Sequence, residues 1–227
     1  MHVIYGGTFD PVHHGHLRLA VELKERLGVA ALSLVPCHIP PHRDDPGATS
    51  DDRLALLRLA IDGEDGLAVD ERELRRGGAS YTAETLRQLR ATLGDEEPLV
   101  MVVGTDAFAG FDRWRDWQAI PELAHIVVIA RPGVELPPEG VPAGLIRARG
   151  CRSVAELHQA PCGRILPLEL PLLDISATGI RERIAAGRSP RYLLPDRVWQ
   201  EIRARRLYRA SQGGEGGKAV KQPLINS

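Results

Sequence analysis

The sequence predicts an α/β fold built on a doubly wound parallel sheet. Three observations carry that prediction. Apolar runs recur without period-two alternation, notably at residues 99–103 and 125–130, and such runs suit strands covered on both faces. Amphipathic helical patterns separate the runs, as in a chain of β-α units. The first unit also carries a glycine-rich turn between strand and helix, the place where an open parallel sheet binds ligands.

From the start, residues 2–5 read as a short apolar strand and residues 16–27 as the helix after the turn. Residues 31–35 give a second strand and 36–50 a proline-rich loop. A helix is expected over 51–62, its start marked by the Thr49-x-x-Asp52 capping pattern. A short strand follows at 67–69. Ser80 and Thr82 then offer hydroxyls to cap a helix that runs to Leu93 and stops at Gly94. Beyond the two buried strands, residues 132–161 are rich in Pro, Gly and Arg with weak periodicity, and read as an irregular insertion with room for a helix. A strand over 164–168 leads to the hydroxyl-bearing residues 175–178 and a helix over 179–186. The last helix spans 195–206, with Pro195 in its first turn. From Ser211 the chain is rich in Gly, Lys and Gln and is expected to be disordered, which assigns residues 1–210 to the folded domain.

Composition narrows the function classes. With 43% hydrophobic and 26% charged residues among 227, the chain can bury a real core as one α/β domain with an insertion or tail. Twenty-nine Lys plus Arg against thirty Asp plus Glu leave a formal charge of -1, so nothing draws the whole molecule to nucleic acid or anionic lipid. Phosphate binding must be local. The arginine-rich stretches are interleaved with Asp and Glu and read as a mixed-charge surface. Cys37, Cys151 and Cys162 are an odd set suited to a reducing compartment, and the cytoplasm is the expected location. No basic-then-apolar leader opens the chain and no apolar run approaches ~20 residues, so neither export nor a membrane span is expected.

The chemistry concentrates in Gly6-Gly7-Thr8-Phe9-Asp10-Pro11-Val12-His13-His14-Gly15-His16. Gly6 and Gly7 let backbone approach an anion, and His13 and His16 stand at a helix N-terminus whose free amides carry partial positive charge. Taken singly, a Gly-Gly pair is an ordinary turn and a histidine an ordinary satisfied side chain. Eleven positions in order, between strand and helix, favour the functional reading. The string resembles the His-x-Gly-His signature of the nucleotidyltransferase superfamily, with His13 and His16 in the signature positions and no role for His14. The resemblance implies a Rossmann-like nucleotidyltransferase fold in which both histidines contact ATP phosphates and stabilise charge at the α-phosphate during in-line displacement. Such chemistry needs no protein nucleophile, because the incoming phosphate is one already.

Ile175-Ser176-Ala177-Thr178-Gly179-Ile180-Arg181 resembles a second motif of the same superfamily, Ile-Ser-x-Thr-x-x-Arg. Ser176 and Thr178 can cap the helix or donate to phosphate oxygens, and Arg181 can pair with the β or γ phosphate as pyrophosphate departs. Five further segments resemble those of the bacterial nicotinate-nucleotide adenylyltransferases in matching order. They are Pro40-Pro41-His42-Arg43, Ser80-Tyr81-Thr82-Ala83, Gly104-Thr105-Asp106-Ala107-Phe108, Phe111-x-x-Trp114 and Arg131-Pro132-Gly133, within a resemblance spanning residues 2–209. It implies that ATP and nicotinate mononucleotide become nicotinate adenine dinucleotide and pyrophosphate, the adenylylation step of NAD synthesis. ATP is then expected at Gly6, Gly7, Thr8, Phe9, His13, Gly15, His16, Gly104, Asp106, Ser176, Thr178 and Arg181.

For the mononucleotide the resemblance points to His42, Arg43, Tyr81, Thr82, Asp106, Trp114 and Arg131. Trp114 can stack on a pyridine ring, and backbone amides near Tyr81 and Thr82 can read its carboxylate. Asp106 can hold a ribose hydroxyl or, alternatively, cap the next helix. His42 and Arg43 read as a phosphate clamp on a loop. Arg115 stands where some members of the family carry an aromatic residue, although a guanidinium can also lie flat on a ring.

Mg²⁺ is expected to arrive with ATP, held by phosphates and water. His13, His14, His16, Cys37, His38 and His42 crowd the first third of the chain, yet no His-Glu-x-x-His or Cys-x-x-Cys spacing is present, so no protein metal site is expected. The expected partners are the small molecules ATP and nicotinate mononucleotide, and monomer and homodimer both stay open. The rivals within the enzyme class are transferases acting on nicotinamide mononucleotide or on phosphopantetheine, the segments after Val35 arguing against the latter. Outside it stands a non-catalytic nucleotide-binding regulator of the same fold.

Overall fold

Runs of Val, Ile and Leu set the strands of the computed structural model, which describes residues 1–40, 47–130 and 136–210. They are β1 (His2–Gly7), β2 (Leu32–Pro36), β3 (Leu67–Val69), β4 (Leu99–Gly104), β5 (His125–Ala130) and β6 (Ile165–Glu169). They form one sheet in the order β3-β2-β1-β4-β5-β6, and every neighbouring pair is parallel. Chain order reverses between β1 and β4, the switch point at which this architecture binds ligands. The register shows how a crevice opens there. β1 pairs with β4 through Tyr5 and Val102. Beyond them Gly6 and Gly7 stay with Val35 and Pro36 of β2, whereas Val103 and Gly104 stay with Val128 and Ile129 of β5.

Ten α-helices are described: α1 (His14–Leu27), α2 (Ser50–Ile61), α3 (Arg72–Arg76), α4 (Thr82–Leu93), α5 (Thr105–Ala109), α6 (Ile120–Leu123), α7 (Gly140–Arg149), α8 (Val154–Leu157), α9 (Ala177–Ala185) and α10 (Asp196–Ala204). Because side chains alternate across a strand, the sheet feeds two cores. Val3, Leu34, Val100 and Val127 face one cluster, closed by α1, α2, α9 and α10 through Leu23, Leu57, Ile180 and Val198. Ile4, Val35, Met101 and Val128 face the other, closed by Leu86 and Leu89 of α4 together with Phe108, Phe111 and Ile120. Full burial of side chains such as Leu23, Leu34 and Leu57 stabilises the fold by about 1.5–3 kcal/mol each.

The helix ends follow local chemistry in most places. The Thr49 hydroxyl accepts from the Asp52 amide at 3.1 Å, as the capping pattern predicts. Gly94, at φ 80°, ends α4 as expected. The start of α4 differs: its N-cap is Tyr81, with no side-chain cap, and the Ser80 hydroxyl instead accepts from the His38 amide at 2.8 Å. Pro195 lies just outside α10, as its N-cap. The stretch read as an irregular insertion contains α7 and α8, the latter opened by Glu156, whose carboxylate accepts from the Ser153 amide at 3.1 Å. The short helix α3, with no apolar period of its own, was not anticipated by the sequence pattern. The expected disorder from Ser211, and the roles expected of His42, Arg43 and Arg131, fall outside the described residues. No helix among the described residues is long and apolar enough to cross a membrane.

Candidate active site

The first loop leaves β1 at Gly6, where a Cβ would meet nothing within 4 Å, so the backbone faces open space. Gly7 is instead covered by the Phe9 ring, whose Cζ would lie 2.9 Å from a Cβ there. Phe9 holds φ 50° and is 1% exposed, wedged edge-on against Tyr5 and His16 with centroid distances of 5.7 and 5.1 Å. The loop's shape is thus packed rather than merely flexible. The Thr8 carbonyl points inward and accepts from Arg53 at 2.7 Å.

His13 caps α1 with its carbonyl, which accepts from the His16 and Leu17 amides at 2.9 and 3.2 Å. Its ring stacks on that of His16, with centroids 3.7 Å apart and planes at 27°. Gly15 makes room for this, because a Cβ there would lie 2.9 Å from His13 Nδ1. His13 is 4% exposed, and Nδ1 has no hydrogen-bond partner among the described residues. Burial, with a smaller contribution from His14, pushes its pKa down to about 4. The imidazole is therefore neutral near pH 7 and donates through a single N–H.

The late motif arrives at the same place. The Gly15 Cβ position lies 3.5 Å from the Ile175 carbonyl oxygen, so the two signature strings abut. Ser176 caps α9 by accepting from the Gly179 amide at 3.1 Å. Arg181, one turn further, donates to the Asp10 carbonyl at 2.7 Å and to the Thr178 hydroxyl at 3.2 Å. Asp10 is the hub: it is 4% exposed and its carboxylate accepts from the Gly47 amide and the Tyr208 hydroxyl at 2.7 and 2.8 Å, with Arg181 Nη1 at 3.6 Å.

Across the crevice, Gly104 ends β4 with open space where its Cβ would be, and Asp106 is exposed in the first turn of α5. Asp106 does not cap that helix, whose N-cap is Gly104. The Thr105 hydroxyl donates to the Ile129 carbonyl at 2.9 Å and ties the ends of β4 and β5 together. On the β2 side, Ile39 bridges to Ala79, and the Ser80 amide donates to the Ile39 carbonyl at 2.9 Å. This brings Tyr81 and Thr82 to the carboxyl edge of the sheet at the start of α4. No side chain caps α4 there, and of its first-turn amides the Glu84 amide donates to the Tyr81 carbonyl at 3.1 Å, leaving those before it to meet an anion. The Arg115 guanidinium lies 4.6 Å from the Tyr81 ring centroid, so at this position a cation covers the ring. Trp114 is half-buried, tilted against Phe111 at 5.4 Å, and gives only part of its ring to the surface.

Sequence reasoning left four residues here without a role. Asp10 lay inside the first string. Arg53 is 0% exposed, and its guanidinium also donates to the His38 carbonyl at 2.8 Å. Its position on the buried stripe Arg53, Leu56, Leu57, Ile61 of α2 was a legible signal, since an arginine interrupts an apolar period. Gly47 and Tyr208 gave no signal. No group of three His, Cys, Asp or Glu among the described residues is gathered to hold a metal ion, and all three cysteines are free.

Comparison with known proteins agrees with this arrangement. The family model described as cytidylyltransferase-like matches residues 4–183. The chain is 66% identical over 210 residues to a Marinobacter nauticus protein named probable nicotinate-nucleotide adenylyltransferase, covering 92% of this chain and 97% of that one. A Cellvibrio japonicus protein of the same name is 50% identical over 206 residues, covering 91% and 97%. Among solved structures, Plasmodium falciparum nicotinic acid mononucleotide adenylyltransferase complexed with NaAD matches at a TM-score of 0.67 and 14% identity, covering 91% of this chain and 96% of that one, which speaks for the fold. A parallel sheet with its switch point at β1 and β4, both nucleotidyltransferase motifs meeting there, and relatives aligned over nearly their full length lead to one conclusion: the chain belongs to the cytidylyltransferase-like family and, within it, to the nicotinate-nucleotide adenylyltransferases.

Proposed function

We propose that the crevice between the ends of β1 and β4 joins nicotinate mononucleotide to the adenylyl group of ATP. A phosphate oxygen of the mononucleotide attacks the α-phosphorus, the bond to the bridging oxygen of the β-phosphate breaks, and pyrophosphate leaves with that electron pair. The observation that carries the reading is the convergence of the two motifs, with Gly15 against the Ile175 carbonyl and Arg181 on Asp10. The nucleophile is already anionic, so the protein's task is to position it and to meet the charge that moves. His13 and His16 face the α-phosphate through their ring N–H groups. Ser176, Thr178 and Arg181 meet the outer phosphates at the start of α9, where the partial positive charge of the helix adds to the guanidinium. Gly6, Gly7, Thr8 and Phe9 shape the floor under the nucleotide, and Gly104 and Asp106 take the ribose from the β4 side.

Tyr81, Thr82 and Trp114 take the pyridine end. The uncapped first turn of α4 favours a carboxylate over a neutral amide, which supports nicotinate over nicotinamide mononucleotide. His42, Arg43 and Arg131 keep their sequence-based roles as phosphate and substrate contacts. Mg²⁺ would arrive with ATP and would supply positive charge to offset that of its phosphates. Asp10, the buried acid described at this site, is already engaged by Tyr208, Gly47 and Arg181, which suits an ion that keeps phosphate and water ligands.

Pyrophosphate release by the purified chain, with ATP, Mg²⁺ and either mononucleotide, tests the reading. The nicotinate form should turn over with the higher kcat/KM, and equal values for the two would remove the role given to α4. His16→Ala should lower kcat by about 10²–10³ with unchanged folding. Near-normal turnover in that variant would falsify the role of His16. Absence of pyrophosphate release with either mononucleotide would leave the regulator alternative.

A further inference from the structure

We propose that Tyr208, at the far end of the described chain, is a positioning residue for the transfer: its hydroxyl holds the Asp10 carboxylate, and Asp10 in turn holds the Arg181 guanidinium at the crevice. The proposal rests on the reading that Arg181 meets the ATP phosphates. Tyr208 Oη donates to Asp10 Oδ1 at 2.8 Å, and the Gly47 amide donates to Oδ2 at 2.7 Å. Each carboxylate oxygen thus has a short neutral donor. The guanidinium is left with the Asp10 backbone carbonyl at 2.7 Å and the Thr178 hydroxyl at 3.2 Å as its close contacts and the carboxylate at 3.6 Å as its longer one. An arginine held by a carbonyl keeps donors free for phosphate, whereas one locked in a bidentate carboxylate pair does not. Removal of the Tyr208 hydroxyl frees Oδ1 to turn onto Arg181 and compete with the nucleotide for it.

Packing leaves no slack in this arrangement. A Cβ on Gly47 would lie 3.1 Å from both Arg181 Cδ and Tyr208 Cδ1, so three distant segments press on one another. The backbone leading to Tyr208 is held in an unfavourable state. Arg206 and Tyr208 adopt φ 57° and 60°, left-handed values that side-chain-bearing residues reach only at a cost and keep only where surrounding contacts impose them. Those contacts are present. Arg205 Nη1 reaches Asp52 Oδ1 on α2 at 2.8 Å, and Leu207 packs on the first core between the two strained residues. The result of the strain is the delivery of one hydroxyl to one carboxylate. Burial, then the neighbouring Asp10, pushes the Tyr208 pKa upward, so the hydroxyl remains a donor across the usual assay range.

The test is a double-variant cycle with Tyr208→Phe, Arg181→Ala and their combination, read by steady-state kinetics and thermal melting. Tyr208→Phe should lower kcat/KM for ATP about tenfold while KM for the mononucleotide stays within about twofold, and it should add no loss in the Arg181→Ala background, where the positioned group is gone. A merely structural role would lower activity by the same factor in both backgrounds. That outcome overturns the proposal, as does a silent Tyr208→Phe. If Arg181→Ala itself leaves ATP kinetics unchanged, the reading of Arg181 fails and this inference fails with it. If Arg181→Ala is impaired and Tyr208→Phe is not, only the inference fails. Should Tyr208→Phe fail to fold with the Asp10 carboxylate unpaired, Tyr208→Phe combined with Asp10→Asn removes the competing charge as well; Arg181→Ala should then cost the same factor in kcat/KM for ATP in that background as in wild type, and a smaller factor would overturn the proposal.

Discussion

At His13, burial and phosphate chemistry pull in opposite directions. The ring sits at 4% exposure, stacked on His16, and its pKa of about 4 means that the unfolded chain takes up a proton well before the folded one does. Stability from this group is present above the unfolded value near pH 6.5 and is lost as pH falls toward 4. Between pH 7.5 and 5 the loss is about 2 kcal/mol. His2 and His125 are also lowered by burial and act in the same direction, so the His13 share is the difference between wild type and His13→Gln in urea unfolding at the two pH values. The variant should decline less steeply by that amount, and identical declines would contradict a buried neutral imidazole. His13 and His16 were legible in sequence because their spacing and the turn before them are local. Asp10 was in the same string but unread, since its meaning comes from Tyr208, 198 residues away.

Elements matter here for what they brace. None of the site residues expected from the sequence lies on α2, yet its Arg53 side chain spans the Thr8 and His38 carbonyls and so fixes the loops after β1 and β2 relative to each other. The guanidinium also donates to the Ser50 hydroxyl at 3.3 Å, and the Ser50 hydroxyl in turn meets His38 Nδ1 at 2.8 Å. A buried cation held by neutral acceptors through its Nη atoms, with Nε left without a partner among the described residues, is expensive to retain, which points to the loop geometry as the reason for it. Arg53→Met strips two part-buried carbonyls of their donor and should cost about 2–4 kcal/mol in urea unfolding. Arg53→Lys should recover less than half of that, because an ammonium cannot place two donors in fork geometry. A cost below roughly 0.5 kcal/mol for Arg53→Met would show that the brace is dispensable. The strands and the longer helices were legible from apolar runs and caps, and the Ser153-x-x-Glu156 box is a local signal for α8. The start of α4 was not legible, because whether Ser80 caps a helix or serves His38 is decided by the neighbouring segment.

For the whole molecule, strand order is the quantity that sequence could not supply and function most needs. Alternation of strands and helices implies a parallel sheet, but only the pairing shows β1 flanked by β2 and β4, and hence the crevice where Gly6 and Gly104 diverge. The same sheet couples the two cores. Adjacent residues of one strand, such as Val3 and Ile4 or Val127 and Val128, belong to opposite clusters, so neither cluster can come apart without exposing the other's wall. The three tryptophans make this testable, since Trp199 packs on the first cluster and Trp114 and Trp117 on the second. Urea unfolding of Trp199→Phe followed by fluorescence reports the second cluster. The variant with Trp114→Phe and Trp117→Phe reports the first, and far-ultraviolet circular dichroism reports the whole backbone in each. Within each variant the fluorescence and dichroism transitions should coincide, as a single cooperative unit requires. A fluorescence midpoint displaced from the dichroism midpoint in either variant would mean that the faces melt separately. The crevice would then be a joint between two bodies, and the aim of Arg181 at a nucleotide on the β4 side would depend on their relative motion rather than on one shared sheet.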